Sequence, residues 1–178
     1  MAGLDITSRA FWLIVHLGVG AVFLHGFIEV VLALRGSARE LRPMALFGSA
    51  STAFIAWATV ISGTWIVYPW YRAKPPADVA SASASLISYP QRYLMANSNL
   101  IEWHSFGMEW KEHVGWIAPI LATAVAFVIL RYRRQILAEA SMRRALMVLI
   151  AVSFFAGVVA ATLGVFINKM APNQFLAM

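Results

Sequence analysis

Apolar residues run almost unbroken through four stretches, Ala10 to Leu34, Ala45 to Trp70, His113 to Leu130 and Ala145 to Ile167, and polar residues collect between them. Each stretch is close to the roughly 20 residues that cross a bilayer core as a helix. A backbone in lipid must satisfy its own hydrogen bonds, so helix is the conformation these runs predict. The third helix is expected to begin before its apolar run, near Asn97 or Asn99, where Asn97, Ser98 and Asn99 offer side chains that cap exposed amides. It would then project out of the membrane before crossing it. The predicted fold class is all-α: a polytopic four-transmembrane-helix bundle forming one integral membrane domain over residues 1–178.

Arginines set the expected direction of the spans. Arg35, Arg39 and Arg42 occupy the first short connection, and Arg131, Arg133, Arg134, Arg143 and Arg144 the second. The positive-inside rule puts both in the cytoplasm, which leaves the termini and the long connection from Tyr71 to Glu112 outside, an N-out/C-out topology. The expected location is a bacterial inner membrane with the long loop on its outer side. Trp65, Tyr68, Trp70 and Tyr71 before that loop, and Trp103, Trp110 and Trp116 toward its far end, fit an aromatic belt at the outer interface. The first apolar stretch is read as a retained helix, because it has no lysine-rich leader and no A-x-A-like site at its end. "AKPPADVASASASLISYP", rich in Pro, Ala and Ser, is expected to be partly irregular and able to act as a lid.

Composition narrows the chemistry. The chain is 61% hydrophobic and 12% charged, with a mean hydropathy of +0.72, against about one-quarter charged residues in soluble domains, so no separate soluble module is expected. The net charge of +6 comes largely from arginines beside apolar runs. Topology explains them without nucleic acid. With no cysteine, the chain cannot form disulfides, thiolate metal sites, iron–sulfur clusters or a covalent c-type haem. Histidine, methionine or carboxylate must hold any redox centre.

Four histidines fall in two pairs, His16/His25 and His104/His113, each nine residues apart. At about 100° per residue, that spacing turns a helix through about two and a half turns and sends paired side chains to opposite faces. Depth suggests a different pairing. His16 lies 19 residues before Arg35 and His113 lies 18 before Arg131, so at about 1.5 Å per residue the two sit at one level near the outer edge of the hydrocarbon. Gly18, Gly20, Gly63 and Gly164 fall near that level and leave room for a flat macrocycle. A b-type haem ligated by His16 and His113 is therefore expected, with Arg72, Lys74, Arg92 or Lys169 as counter-charges for outward propionates. The alternative is that His16 only hydrogen-bonds a neighbouring helix and His113 is interfacial.

Other polar groups carry further expectations. His25 and Glu29 share a face of the first helix, deep enough that they must face the bundle or another subunit; a proton path or the polar end of a quinone pocket would use them. In "EWHSFGMEWKEH", Glu102, Glu109 and His113 form one helical stripe, read as the ligand set, and His104, Met108 and Lys111 form the opposite one. A non-haem iron or copper ion would use His16, His113 and Glu109, helped by Glu102, Glu112 or His104. The paired E-x-x-H motifs of a di-iron bundle are absent. A cofactor-free structural subunit is the third reading, since "GSASTA" and "AGVVAATLG" permit close packing against a neighbour.

The bundle and its histidines resemble the small four-helix membrane cytochromes of the b type. The resemblance covers the architecture rather than a diagnostic motif, and implies His16 and His113 as axial ligands. A single histidine level departs from the two-haem members, whose ligands stack along one face of each helix. What it implies is electron transfer between the quinone pool and an electron-transfer protein at the outer face, within an assembly of other membrane subunits.

Overall fold

A computed structural model describes residues 8–35, 43–77 and 86–171. Among these, four helices are long and apolar enough to cross a membrane: Ser8–Arg35, Leu46–Tyr71, Trp103–Arg131 and Ala140–Met170. We call them the first to fourth spans. The predicted stretches fall inside them except at Ala45, one residue ahead of the second, and the described residues form an all-helical fold suited to a lipid bilayer. Arg39, Arg42 and residues 78–85 of the Pro/Ala/Ser stretch lie outside the described residues.

Neighbouring spans pack in a ring: first on second, second on third, third on fourth, and fourth back on first. The first and third therefore lie on a diagonal. Small residues govern how closely they approach, as expected where lipid tails offer no competing hydrophobic drive. Phe23 of the first span fits against Gly157 of the fourth, where an added Cβ would come within 2.6 Å of its ring. One turn on, Phe27 stacks on Phe154 with ring centroids 4.1 Å apart. Polar side chains pin the middle of the ring. Ser153 Oγ donates to the Ala118 carbonyl at 2.7 Å, and Trp57 Nε1 donates to Thr123 Oγ1 at 2.9 Å.

The long connection makes two short excursions before the third span. Asn97 Oδ1 accepts the Asn99 amide at 3.0 Å, an Asx turn just ahead of the helix, close to the expected start. Before it, Pro90–Met95 forms a short helix whose Leu94 packs with Tyr71, Met108, Ile167 and Ala171. These residues close one end of the bundle, here termed the loop end. At the opposite, arginine end, Arg133–Ala138 forms a helical turn whose last carbonyls at Ile136 and Leu137 accept from Arg143, both at 2.9 Å. A guanidinium there satisfies carbonyls that no further turn reaches.

Two spans loosen into π-helix at the loop end: Gly63–Val67 in the second and Trp103–Met108 in the third. Wider turns of this kind recur at functional sites because they re-aim side chains relative to a regular helix. Both flank the cavity described next.

Candidate functional site

His16 leaves the first span toward Gly63, at the start of the second span's π turn. A Cβ at position 63 would lie 2.8 Å from His16 Cε1, so only glycine seats the imidazole there. Its Nδ1 is 3.1 Å from Ser62 Oγ. The Ser62 hydroxyl already donates its one hydrogen to the Thr59 carbonyl at 3.0 Å. Ser62 Oγ can then only accept, so Nδ1 carries the hydrogen and the neutral ring keeps its lone pair on Nε2. Ligating histidines use this arrangement, one nitrogen held by a hydrogen bond and the other free.

The ring lines a partly open chamber of about 400 Å³ to which all four spans contribute. Gly20, Gly63, Gly115, Gly157 and Gly164 thin its walls, with Ala21, Ala56, Ala118, Ala160 and Ala161 between them. Into this apolar space project Lys111 and Glu112 of the third span and Tyr68 and Tyr71 of the second. Lys111 lies along Gly164, its Cε 2.8 Å from where a Cβ would stand. The Tyr68 hydroxyl lies beside the Glu112 carboxylate. The carboxylate oxygen Oε1 is buried and has no hydrogen-bond partner among the described residues. A second chamber of about 350 Å³ shares His16, Leu17, Tyr71, Met108 and Lys111 with the first and reaches Arg9, Trp70 and Asn168. Its rim residues Leu17, Val165 and Asn168 are exposed, so the opening lies between the first and fourth spans at the loop end.

Above the chamber, His104 is held on both ring nitrogens. Gln91 Nε2 lies 3.3 Å from His104 Nε2, and the Tyr71 hydroxyl 2.9 Å from Nδ1. With the Gln91 amide donating, Nδ1 holds the hydrogen and donates to Tyr71. This clasp ties the end of the second span, the Pro90–Met95 helix and the third span's π turn into one cap. It gives His104 a structural task.

The expected histidine pair does not form. His113 is exposed, and its Nδ1 bonds the Glu109 carbonyl of its own helix at 2.7 Å. It lies two residues, or about 200°, from both Lys111 and Gly115, which line the chamber. Glu102 and Glu109 are exposed with it. The inward stripe is thus His104, Met108, Lys111 and Gly115, the face opposite to the predicted ligand set. Among the described residues no three His, Asp or Glu side chains come together. Glu112 alone of the predicted third-span carboxylates reaches the chamber.

The predicted counter-charges also sit elsewhere. Arg72 lies over the Tyr68 ring, 5.5 Å from its centroid, and Arg72, Lys74, Arg92 and Lys169 line neither chamber. Lys111 and Arg9 are the cations that do. His25 and Glu29 line neither chamber: His25 points out of the bundle with 74% of its side chain exposed, and Glu29, 41% exposed, lies against Gly48 of the second span. Sequence reasoning missed Lys111 and Met108 as lining residues. The signal that marks their face is the run Gly107, Gly115, Ala118, Ala122 and Ala126, small residues at the spacing of a close helix contact.

No family model, curated protein or solved structure matches the chain.

Proposed function

We propose that the chain is a haem b-binding membrane subunit that passes electrons between the quinone pool and a protein at the outer face, with His16 as the axial ligand. The observation that carries this reading is the His16 imidazole, anchored at Nδ1 to Ser62, on the wall of a glycine-thinned chamber. The residues present fit such a group. The chamber's volume is within the roughly 300–1,000 Å³ typical of cofactor pockets. Its walls are apolar apart from a few side chains, and Lys111 and Arg9 offer positive charge for carboxylates near the opening. Bound haem supplies a one-electron carrier. The chain orients it through His16, excludes water through the Tyr71–His104–Gln91 cap, and fixes the imidazole tautomer through Ser62. Met108 is the soft donor that lines both chambers with His16, where His113 had been expected.

Glu112 favours a second reading, a hydroquinone bound directly in the chamber. His16 Nε2 and Glu112 Oε1 are two acceptors lining one apolar space, and a hydroquinone carries two hydroxyl donors. One preparation separates the readings. Reduced-minus-oxidised haem bands that vanish in His16→Ala and persist in His113→Ala support the first. A colourless protein whose organic extract holds stoichiometric quinone, lost in Glu112→Leu, supports the second. Neither signal in protein taken from its native membrane sinks both and leaves a role in assembly.

A further inference from the structure

The first span carries a polar pair for which the chamber has no use. His25 and Glu29 lie about 15 Å and about 9 Å of helix rise from Arg35, well inside the span. Ionisable side chains at that depth are costly in hydrocarbon unless polar groups meet them. Among the described residues no hydrogen bond meets either side chain. His25 Nε2 and Glu29 Oε1 stand 3.8 Å apart, beyond the roughly 2.7–3.2 Å of an N–H···O hydrogen bond.

The surrounding face is laid out for another helix. Ile14, Gly18, Ala21, His25, Ile28 and Leu32 are all exposed, and their numbers advance in alternating steps of four and three. That is the spacing of a seam on which two helices coil. No atom lies within 4 Å of a Cβ built at Gly18, and with Ala21 beside it the backbone is open to close approach.

We propose that this face is the interface of a parallel homodimer in which His25 of each copy hydrogen-bonds Glu29 of the other. A second copy fits because the face is its own complement, holding one donor and one acceptor four residues apart. Two copies in one membrane share their orientation, so their first spans run parallel and matching levels meet. In such a pair His25 and the facing Glu29 are offset by four residues, about 6 Å of rise, a step that these two long side chains span between them. Gly48 of the second span leaves space beside Glu29, whose Oε2 would stand 3.1 Å from a Cβ there. The carboxylate therefore rests at the edge of the seam. A single polar position in an otherwise apolar seam fixes register and copy number in coiled helices.

The absence of cysteine makes the test direct. Single cysteines are introduced at Ile28, at Phe127 of the third span and at Phe155 of the fourth, all outward-facing and lining neither chamber, and native membranes are mildly oxidised. Ile28→Cys is expected to give a disulfide-linked band of twice the monomer mass, and Phe127→Cys and Phe155→Cys to stay monomeric. In the Ile28→Cys background, His25→Leu abolishes the band, whereas His25→Asn, which keeps a donor, retains it. Equal cross-linking at all three positions overturns the proposal. So does a band that survives both His25→Leu and Glu29→Leu, or an Ile28→Cys cross-link to a different protein.

Discussion

His16 gives its Nδ1 hydrogen to Ser62 Oγ across 3.1 Å, while Ser62 has committed its own hydrogen to the Thr59 carbonyl. A serine that can only accept thereby decides which imidazole nitrogen faces the chamber. Ser62→Ala leaves the ring without that anchor, and partners of this kind typically contribute about 10–100-fold to ligand affinity. We predict haem retention about tenfold weaker in Ser62→Ala, measured by titrating haem into the depleted protein. Unchanged affinity would show that the ring is oriented by something else.

Gly63→Ala acts on the same ring by volume. An added methyl 2.8 Å from His16 Cε1 forces the imidazole to move, since the opposing atom belongs to a rigid ring. Loss of the bound cofactor with the helix content unchanged is the expected result. Gly18→Ala, where nothing lies within 4 Å, should leave binding intact. Equal cofactor content in the two variants would contradict the notch between His16 and Gly63.

Lys111→Met tests which cation serves the chamber. The substitution keeps most of the side chain's length along Gly164 and removes the charge. If Lys111 donates a charge-assisted hydrogen bond to the cofactor's carboxylates, binding falls by about tenfold or more, from roughly 1.5–3 kcal/mol for such bonds. Lys74→Met and Lys169→Met should bind like wild type, because neither lysine lines a chamber. The reverse pattern would return the counter-charges to the positions first expected from sequence.

Tyr71→Phe removes one side of the His104 clasp and leaves the Gln91 side in place. The predicted effect is local, about 1 kcal/mol of weakened cap. Faster amide exchange across residues 90–108, with the arginine end unaffected, is the outcome that checks it. An unchanged exchange rate would remove the clasp from the account.

The spans were legible because crossing a bilayer demands long apolar helices, and nothing else in the sequence competes with runs such as Ala10 to Leu34. The start of the third helix was legible to within a few residues, since Asn97 marks a turn by its side-chain chemistry. Rotation about the helix axis was not. The first span is largely apolar around its circumference, so no 3.6-residue period tells outward-facing Ile14 from cavity-lining His16. On the third span the charged stripe with His113 stands out in the sequence as the chemical face. In a membrane bundle the inward face is better marked by small residues that allow close packing, and Gly107, Gly115 and Ala118 point to Lys111 instead. Placing His16 near Gly63 and Gly164 followed from depth alone, which helical rise fixes without any knowledge of rotation.

The most direct test is a side-chain-resolution density map of the chain purified from its native membrane. Flat, continuous density is expected between the four spans, joined to the first span at the His16 imidazole, with His113 pointing outward and unattached. A chamber filled only by lipid tails or by collapsed side chains, or a cofactor attached at His113, would contradict it.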